Sequence, residues 1–451
     1  MEKVSSNPPL FTNRMLVSLT IPVILNALLS ITVGIVDSIM VSAAGDAAVS
    51  GVSLVDSVNS TFITVFSALG TGGTVITTQY VGSRNYEQAR ASAKQLIYLT
   101  SGIGTIVMCL LLSIAPQLLR LIYGSIEADV FANAKSYFYI TLLGYPFFAI
   151  GVCCLGLLRS MGKNRQMVFL SAGVNVLNFF GNALFVYGCG MGAVGAALST
   201  TLVRVIYAAG GILMLRRKDR PIYLEHLLRF RIDFRMMWKV FKIGISNSMQ
   251  SSMTNFGKLL ISSLISTFGT VYIAANSASN YLCNIGWVIT NAFGTVLMTV
   301  AGQCIGAGEP EQAKRYTRKL IGASAIFTYT AFPLVILLRN YLVLPFNFSP
   351  EALEASAQFT AIGAILTMLA VYPLSFNPYS AFRASGDIMF PTVLATTSMF
   401  VFRVGLSYLL CYVFGMGLLG VWLGTFADWL CLTVCALLRF RSEKWLKKSL
   451  V

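Results

Sequence analysis

Laid over itself with a shift of 224 residues, this chain matches its own second half. Gln79-Tyr-Val-Gly82 followed by Glu87-Gln88-Ala89 recurs as Gln303-Cys-Ile-Gly306 followed by Glu311-Gln312-Ala313. Arg159-Ser-Met-Gly162 returns as Arg383-Ala-Ser-Gly386, and Gly190-Met-Gly192 with Gly195 returns, at a shift of 225, as Gly415-Met-Gly417 with Gly420. Three matches in the same order across the whole length mark a duplication. The chain must therefore build one architecture twice, and the number of elements per copy decides how the copies relate.

Composition states the medium in which that architecture forms. Hydrophobic residues make up 56% of the chain and charged ones 11%, and the mean hydropathy is +0.73. Soluble chains carry about 25% charge, so this is an integral membrane protein. Apolar runs of roughly 20 residues mark spanning helices. Twelve are read, at 15–41, 48–78, 95–115, 136–158, 167–187, 192–214, 240–266, 273–302, 320–338, 356–382, 390–413 and 418–438. The runs are continuous rather than alternating, which excludes a β-barrel. The first is too long for a signal-peptide core and has no cleavage site, so it is expected to stay as a span. The fold expected is all-α.

Six spans precede a basic linker at 216–239 and six follow it, which gives an N-lobe at 1–215 and a C-lobe at 240–451. An even number returns the chain to its starting side, so the copies insert in the same orientation. Such parallel repeats are related by a pseudo-two-fold axis along the membrane normal, with substrate held between them near the midplane. The net charge of +16 follows the same topology. With the amino terminus inside, only Arg120, Lys135 and Arg339 face outward, and Arg204, Lys258 and Arg403 lie within spans. All other Lys and Arg fall on the cytoplasmic side, which sets both termini in the cytoplasm by the positive-inside rule. The basic balance thus reports topology and no nucleic-acid partner. The partners expected are the lipid bilayer and a small amphipathic organic substrate, with the protein acting as a monomer in a bacterial inner membrane.

Nine cysteines lie scattered, nearly all in spans, without the spacing or histidine company of a zinc site. The one histidine, His226, lies in the linker. No metal centre or cofactor is expected, and catalysis, which needs a base beside a nucleophile, has no candidate constellation. Breakers do occur in spans: Pro22, Pro146, Pro333, Pro373 and Pro378. Each removes a backbone donor, to be read as a hinge or as static curvature. Gly70-Thr-Gly-Gly73 and Gly192/Gly195/Ala196/Ala197 are read as small faces for close helix packing.

Function is sought in the residues that lipid disfavours. Asp37, Asp56 and Asp428 lie within spans, and each carboxylate costs about 2.5–3.5 kcal/mol at the bilayer centre. Counted from Gly45, Asp37 and Asp56 sit roughly 12–16 Å deep on adjacent helices. Partial desolvation favours the neutral form of such an acid, so Asp37 could load and release a proton. It could equally ligate a sodium ion. Asp428 is read as a packing residue near Trp422 or Trp429, or as a partner of Arg403. Asn175, Asn178 and Asn182 share one face of span 5 and could hydrogen-bond a titrating Asp37 or supply carbonyls to an ion. Lys258 matches the depth of the aspartates in the second copy, where it would meet a carboxylate or an anionic group on the substrate. Gln250, Asn280 and Asn284 add polar surface to spans 7 and 8.

Together these features resemble the MATE (multidrug and toxic compound extrusion) family over essentially the whole length. The carriers are Ile21-Pro22 with Val36-Asp37-Ser38-Ile39-Met40-Val41, Gln79-Tyr-Val-Gly82, Gly190-Met-Gly-Ala-Val-Gly195-Ala-Ala and Arg439-Phe-Arg-Ser-Glu-Lys-Trp445. The resemblance implies a two-lobed exporter that ejects amphipathic compounds in exchange for inward protons or sodium ions. It makes Asp37 the coupling carboxylate and Asn178 an asparagine of the span-5 motif. Asn182 stands where one branch of the family has an aspartate, and Thr254 stands where another has a glutamate in span 7. Span 10 has no acid between Ala357 and Phe382. The second lobe thus lacks acids that bind cations in some relatives, which weakens the case for a sodium site there and for strictly cationic substrates. The expected function is a cation-coupled antiporter working by alternating access, with Asp56, Gln250, Thr254, Lys258 and Asn280 lining the cavity. The alternative is a lipid-linked glycan flippase of the same superfamily, with Lys258 and Arg403 receiving a pyrophosphate.

Overall fold

The computed structural model describes residues 8–42, 46–124, 127–225, 232–346, 348–447 and 450, without the side chains of 32–39, 41, 42, 46 and 447. His226 and Gly45 lie outside the described residues, and so does the side chain of Asp37. The described chain is helical throughout, with no strand. In order the helices are α1 (Asn13–Ser42), α2 (Asp46–Gly82), α3 (Tyr86–Tyr123), α4 (Ala128–Leu143), α5 (Tyr145–Ser160), α6 (Asn164–Asn182) and α7 (Gly192–Leu215). Then follow α8 (Phe234–Ser266), α9 (Thr270–Gly306), α10 (Pro310–Leu342), α11 (Pro350–Leu369), α12 (Tyr372–Ala384), α13 (Met389–Ser398), α14 (Ser407–Tyr412) and α15 (Gly417–Arg441). Each expected span is found as helix, the run 356–382 as two helices. Among the described residues ten helical stretches are long and apolar enough to cross a membrane, and the α4–α5 pair, bent by 48°, makes an eleventh. The twelfth place belongs to α8, which is 33 residues long but too polar to count by hydropathy.

The repeated motifs are turns. Gly190 and Gly192 take φ of +65° and +54°, and Gly415 and Gly417 take +65° and +52°. Only glycine enters this left-handed region without clash, so the Gly-Met-Gly signature is the same tight reversal used twice. Gly162 and Gly386 stand at φ +72° and +95° after the two Arg-containing motifs.

Two compact units result: Leu25–Ser248, and Met249–Val451 together with Met1–Ile24. In the first, Val55, Phe66, Leu111, Leu119, Phe138, Leu142 and Tyr145 form one apolar core. Helices in lipid gain from close approach rather than from water exclusion, and the small residues permit it. A Cβ on Gly72 of α2 would meet Gly244 Cα of α8 at 3.0 Å, and one on Gly195 would meet the Phe185 backbone at 2.8 Å. Both small-residue faces singled out in the sequence are therefore packing faces. Asn247 Nδ2 donates to Ala68 O (2.8 Å) and Ser248 Oγ to Val65 O (2.9 Å), fastening the start of α8 to α2. The linker's first part is held by Arg90, which donates to Pro221 O (3.1 Å) and Tyr223 Oη (2.9 Å) and lies over the Tyr223 ring.

In the second unit, Ile261, Leu264, Leu366, Leu418 and Trp422 form the main core. The end of α15 is tied by Arg439, which donates Nε (2.8 Å) and Nη2 (2.6 Å) to Oδ2 of the fully buried Asp387. The segment before α1 is clasped by α10. Leu10 N donates to Gln312 Oε1 (2.9 Å), Phe11 N to Tyr316 Oη (3.0 Å), and Tyr316 Oη back to Phe11 O (2.8 Å).

The run expected as one helix at 356–382 is broken. It ends as α11 at Leu369 and restarts as α12 at Tyr372, with Val371 between them at φ +51°, ψ +57°. A β-branched residue in this region is strained. The freed backbone is not left bare: Thr433 Oγ1 donates to Ala370 O (2.8 Å) and Tyr329 Oη to Met368 O (2.8 Å). Pro373 falls in the first turn of α12, where its missing N–H costs nothing. Pro146 likewise opens α5 just after the bend at Gly144, whereas Pro22 and Pro333 lie inside α1 and α10.

Candidate functional site

In the Leu25–Ser248 unit, α6 carries the three asparagines on one face. Asn178 and Asn182 are buried and Asn175 is half-buried. Asn178 faces α7, where Ser199 Oγ donates to Asn178 O (3.2 Å) and Asn178 Nδ2 lies 3.5 Å from that oxygen. Gly181 makes room for this meeting, because a Cβ there would come within 2.4 Å of Ser199 Oγ. Past Asn182 the helix widens into a π-helical turn, Ala183–Gly188. Such turns shift the register of a helix face and recur at functional sites.

Asp56 lies on α2 with its side chain exposed on this unit. Tyr137 Oη donates to Asp56 Oδ1 (3.0 Å), and Asn59 is a second hydrogen-bond partner. A buried network stands behind it. Tyr145 Oη donates to Asn59 Oδ1 (2.7 Å), and Asn59 Nδ2 donates to Thr141 Oγ1 (3.3 Å). Arg204 Nη1 donates to Thr141 O (2.9 Å), and its guanidinium lies over the Tyr145 and Phe148 rings. Arg204 is the positive charge that acts on Asp56. Ser53, Ser57, Ser60 and Thr61 prolong the exposed face along α2. Three of them donate back to carbonyls of their own helix: Ser57 to Ser53 O, Ser60 to Ser57 O and Thr61 to Ser57 O. The sequence signalled Asp56 by its cost in lipid, but not Asn59, Tyr137, Tyr145 or Arg204 as its supports. They lie up to 148 positions away.

In the other unit, α8 brings Gln250, Thr254 and Lys258 onto successive turns. Gln250 Oε1 accepts a hydrogen bond from Arg383, and Thr254 Oγ1 donates to Gln250 O (2.9 Å). Lys258 is exposed, and Arg403 is the charged group that acts on it. On α9, Asn280 Nδ2 donates to Asn276 O (2.8 Å) and Asn276 Oδ1 (3.0 Å). Asn276, Asn280, Asn284, Trp287 and Asn291 follow at helical spacing, none of them fully buried. This stripe of amides around one indole is polar surface on an otherwise apolar helix.

Arg403 sits in a second π-helical turn, Met399–Leu406, between α13 and α14. It pairs with Asp428 at 3.7 Å and donates Nε to Thr425 Oγ1 (3.3 Å), as the sequence suggested for Asp428. Ser398 Oγ donates to Asp428 Oδ1 (2.6 Å). The guanidinium stands 5.7 Å from the Trp429 ring, which meets Trp287 and Tyr372 edge to face at 5.4 and 5.1 Å. Among the described residues no three of His, Cys, Asp and Glu converge as a metal centre. Of the cavity residues named from the sequence, Asp56 belongs to the first unit, and Gln250, Thr254, Lys258 and Asn280 to the second.

The chain resembles known proteins along its whole length. An uncharacterized transporter, YisQ, of Bacillus subtilis is 27% identical over 449 residues, covering 96% of this chain and 95% of its own. A probable multidrug resistance protein NorM of Thermotoga maritima is 23% identical over 440 residues, covering 97% and 94%. Among solved structures, a MATE protein in the bent conformation superposes with a TM-score of 0.89 at 20% identity, over 96% of both chains. A multidrug resistance MATE transporter in an outward-facing conformation gives the same TM-score, identity and coverage. The profile of the MatE family matches twice, at 22–184 and 244–409, once in each repeat. This duplicated, multi-pass helical membrane protein therefore belongs to the MATE family of transporters.

Proposed function

We propose that the protein is a secondary active efflux antiporter for small amphipathic organic compounds, driven by inward flow of protons or sodium ions through alternating access. It works as a monomer in a bacterial inner membrane with both termini cytoplasmic. Asp37 is the coupling carboxylate, and Asn175, Asn178 and Asn182 supply the hydrogen bonds or carbonyls around it. Asp56, Gln250, Thr254, Lys258 and Asn280 contribute polar surface to the substrate's path. The observation that carries this reading is the buried amide pair Asn178 and Asn182 beside a π-helical turn, in a chain whose relatives include probable multidrug resistance proteins. Amide side chains both donate and accept hydrogen bonds, so such a face suits a site that holds an ion or a proton. Those relatives also make a lipid-linked glycan flippase the weaker reading.

Proteoliposomes loaded with a fluorescent drug test the proposal. A proton gradient alone and then a sodium gradient alone are imposed, and one of them is expected to drive drug movement. Asp37→Asn removes the titrating group and should abolish that movement, while the protein remains folded and membrane-inserted. Undiminished gradient-driven export by Asp37→Asn would remove Asp37 from the mechanism.

A further inference from the structure

The helix too polar to count as a span by hydropathy is α8, and its polarity is organised. Ser251, Asn255, Lys258, Ser262 and Ser266 recur at spacings of three and four, so they share one face. None of them is buried within the unit. Facing lipid, such a stripe would leave hydroxyls, an amide and an ammonium unsolvated. Ionisable groups within spans face a protein interior or a water-filled cavity, so this face is a wet one.

Charge on that surface is unbalanced. Among the described residues Lys258 has no carboxylate within ion-pair distance and no hydrogen-bonded side-chain partner. The charge acting on it is another cation, Arg403. Gly257 lies against Met399 at the start of the same π-helical turn that carries Arg403, and Phe256 meets Phe400, so the two elements are packed together. Among the described residues Asp428 is the one acid paired with Arg403, and it also accepts from Ser398. The one ion pair among these groups thus belongs to Arg403, and Lys258 stands beside it as an added positive charge. An internal ion pair serving stability alone would need no second cation, and neighbouring like charges repel. The duplication sharpens the contrast: at the shift of 225 that aligns the Gly-Met-Gly turns, Arg403 stands where the first copy has Asn178.

The neighbourhood also offers ring surface. Arg403 lies over Trp429, which packs with Trp287 and Tyr372, and Trp287 keeps part of its surface exposed within the α9 amide stripe. We propose that Lys258 and Arg403 form a recognition site for an oxyanion, such as a carboxylate or sulfonate, on an aromatic substrate whose ring lies against Trp287. The inference rests on the efflux reading for its physiological meaning and names the substrate class that reading leaves open. The ligand's negative charge relieves the Lys258–Arg403 repulsion, and the guanidinium and ammonium both donate charge-assisted hydrogen bonds.

The test uses the full chain purified in detergent with two aromatic dyes, anionic carboxyfluorescein and cationic ethidium, followed by fluorescence anisotropy. Saturable carboxyfluorescein binding is expected, weakened roughly tenfold or more in Lys258→Gln. Binding should be largely restored in Lys258→Arg, and the preference for carboxyfluorescein over ethidium should fall in Lys258→Gln and return in Lys258→Arg. Because Lys258 has no side-chain partner among the described residues, the unfolding midpoint of Lys258→Gln should match that of the unsubstituted protein, which separates a lost site from a lost fold. Absent carboxyfluorescein binding, or equal binding by Lys258→Gln, overturns the site. Proteoliposomes separate the two claims. Gradient-driven ethidium export without Lys258-dependent dye binding defeats the site and leaves the antiporter. Lys258-dependent binding with neither dye moved by either gradient upholds the site and defeats the antiporter.

Discussion

Asp387 and Asp56 are carboxylates of one chain treated in opposite ways. Asp387 is fully buried and takes both Nε and Nη2 of Arg439 on a single oxygen. Removing one partner of a buried pair leaves an uncompensated charge, at a cost of about 3–5 kcal/mol. Asp387→Ala should therefore lower the thermal midpoint in detergent sharply, and an unshifted midpoint would show that the pair contributes little. Asp56 is instead open on one side, with Tyr137 and Asn59 behind it and Arg204 as its counter-charge. Sequence reading found Asp56 because a carboxylate within an apolar run is anomalous. It passed over Asp387, which follows Gly386 in a turn where an acid is unremarkable. Nor could it find Tyr137 or Arg204 as partners, since helical periodicity relates only neighbours on the same helix.

Among the elements, the α11–α12 break is the clearest departure from what periodicity implies. The run 356–382 is apolar throughout, and Pro373 and Pro378 announce a disturbance but not its place. The break lies at Ala370 and Val371, before both prolines, because carbonyl acceptors there meet Thr433 and Tyr329 from other helices. Two substitutions separate strain from satisfaction. Val371→Gly removes the left-handed penalty and should stabilise by about 1 kcal/mol. Thr433→Val orphans the Ala370 carbonyl and should destabilise by about 1–3 kcal/mol. Opposite shifts in thermal midpoint are expected, and shifts of the same sign would refute the assignment. The other long helices were legible from hydropathy alone, whereas α8 falls short by that measure and was placed by the duplication, as the counterpart of α1.

At the scale of the whole molecule, both borders between the compact units fall inside helices. One lies between Ile24 and Leu25 in α1, and the other between Ser248 and Met249 in α8, one repeat length of 224 residues later. Each copy's opening helix thus starts among the other copy's helices, through Phe11 on Tyr316 in one case and Asn247 on Ala68 in the other. The sequence displayed the duplication at once, but the exchange is a property of packing and leaves no composition shift behind. Cutting the linker within 226–231 should therefore give two pieces that co-purify when expressed together and are degraded or aggregated when expressed alone. Recovery of either piece by itself, folded and monodisperse, would contradict the exchange. Reciprocal trading of a leading segment is also how identical six-span subunits could clasp each other as a homodimer. Joining tail to head then turns a bimolecular embrace into an intramolecular one, at an effective concentration in the roughly millimolar range for short tethers. A gene fusion would have had no new interface to invent, and thereafter each half was free to change its polar residues without having to suit its own twin.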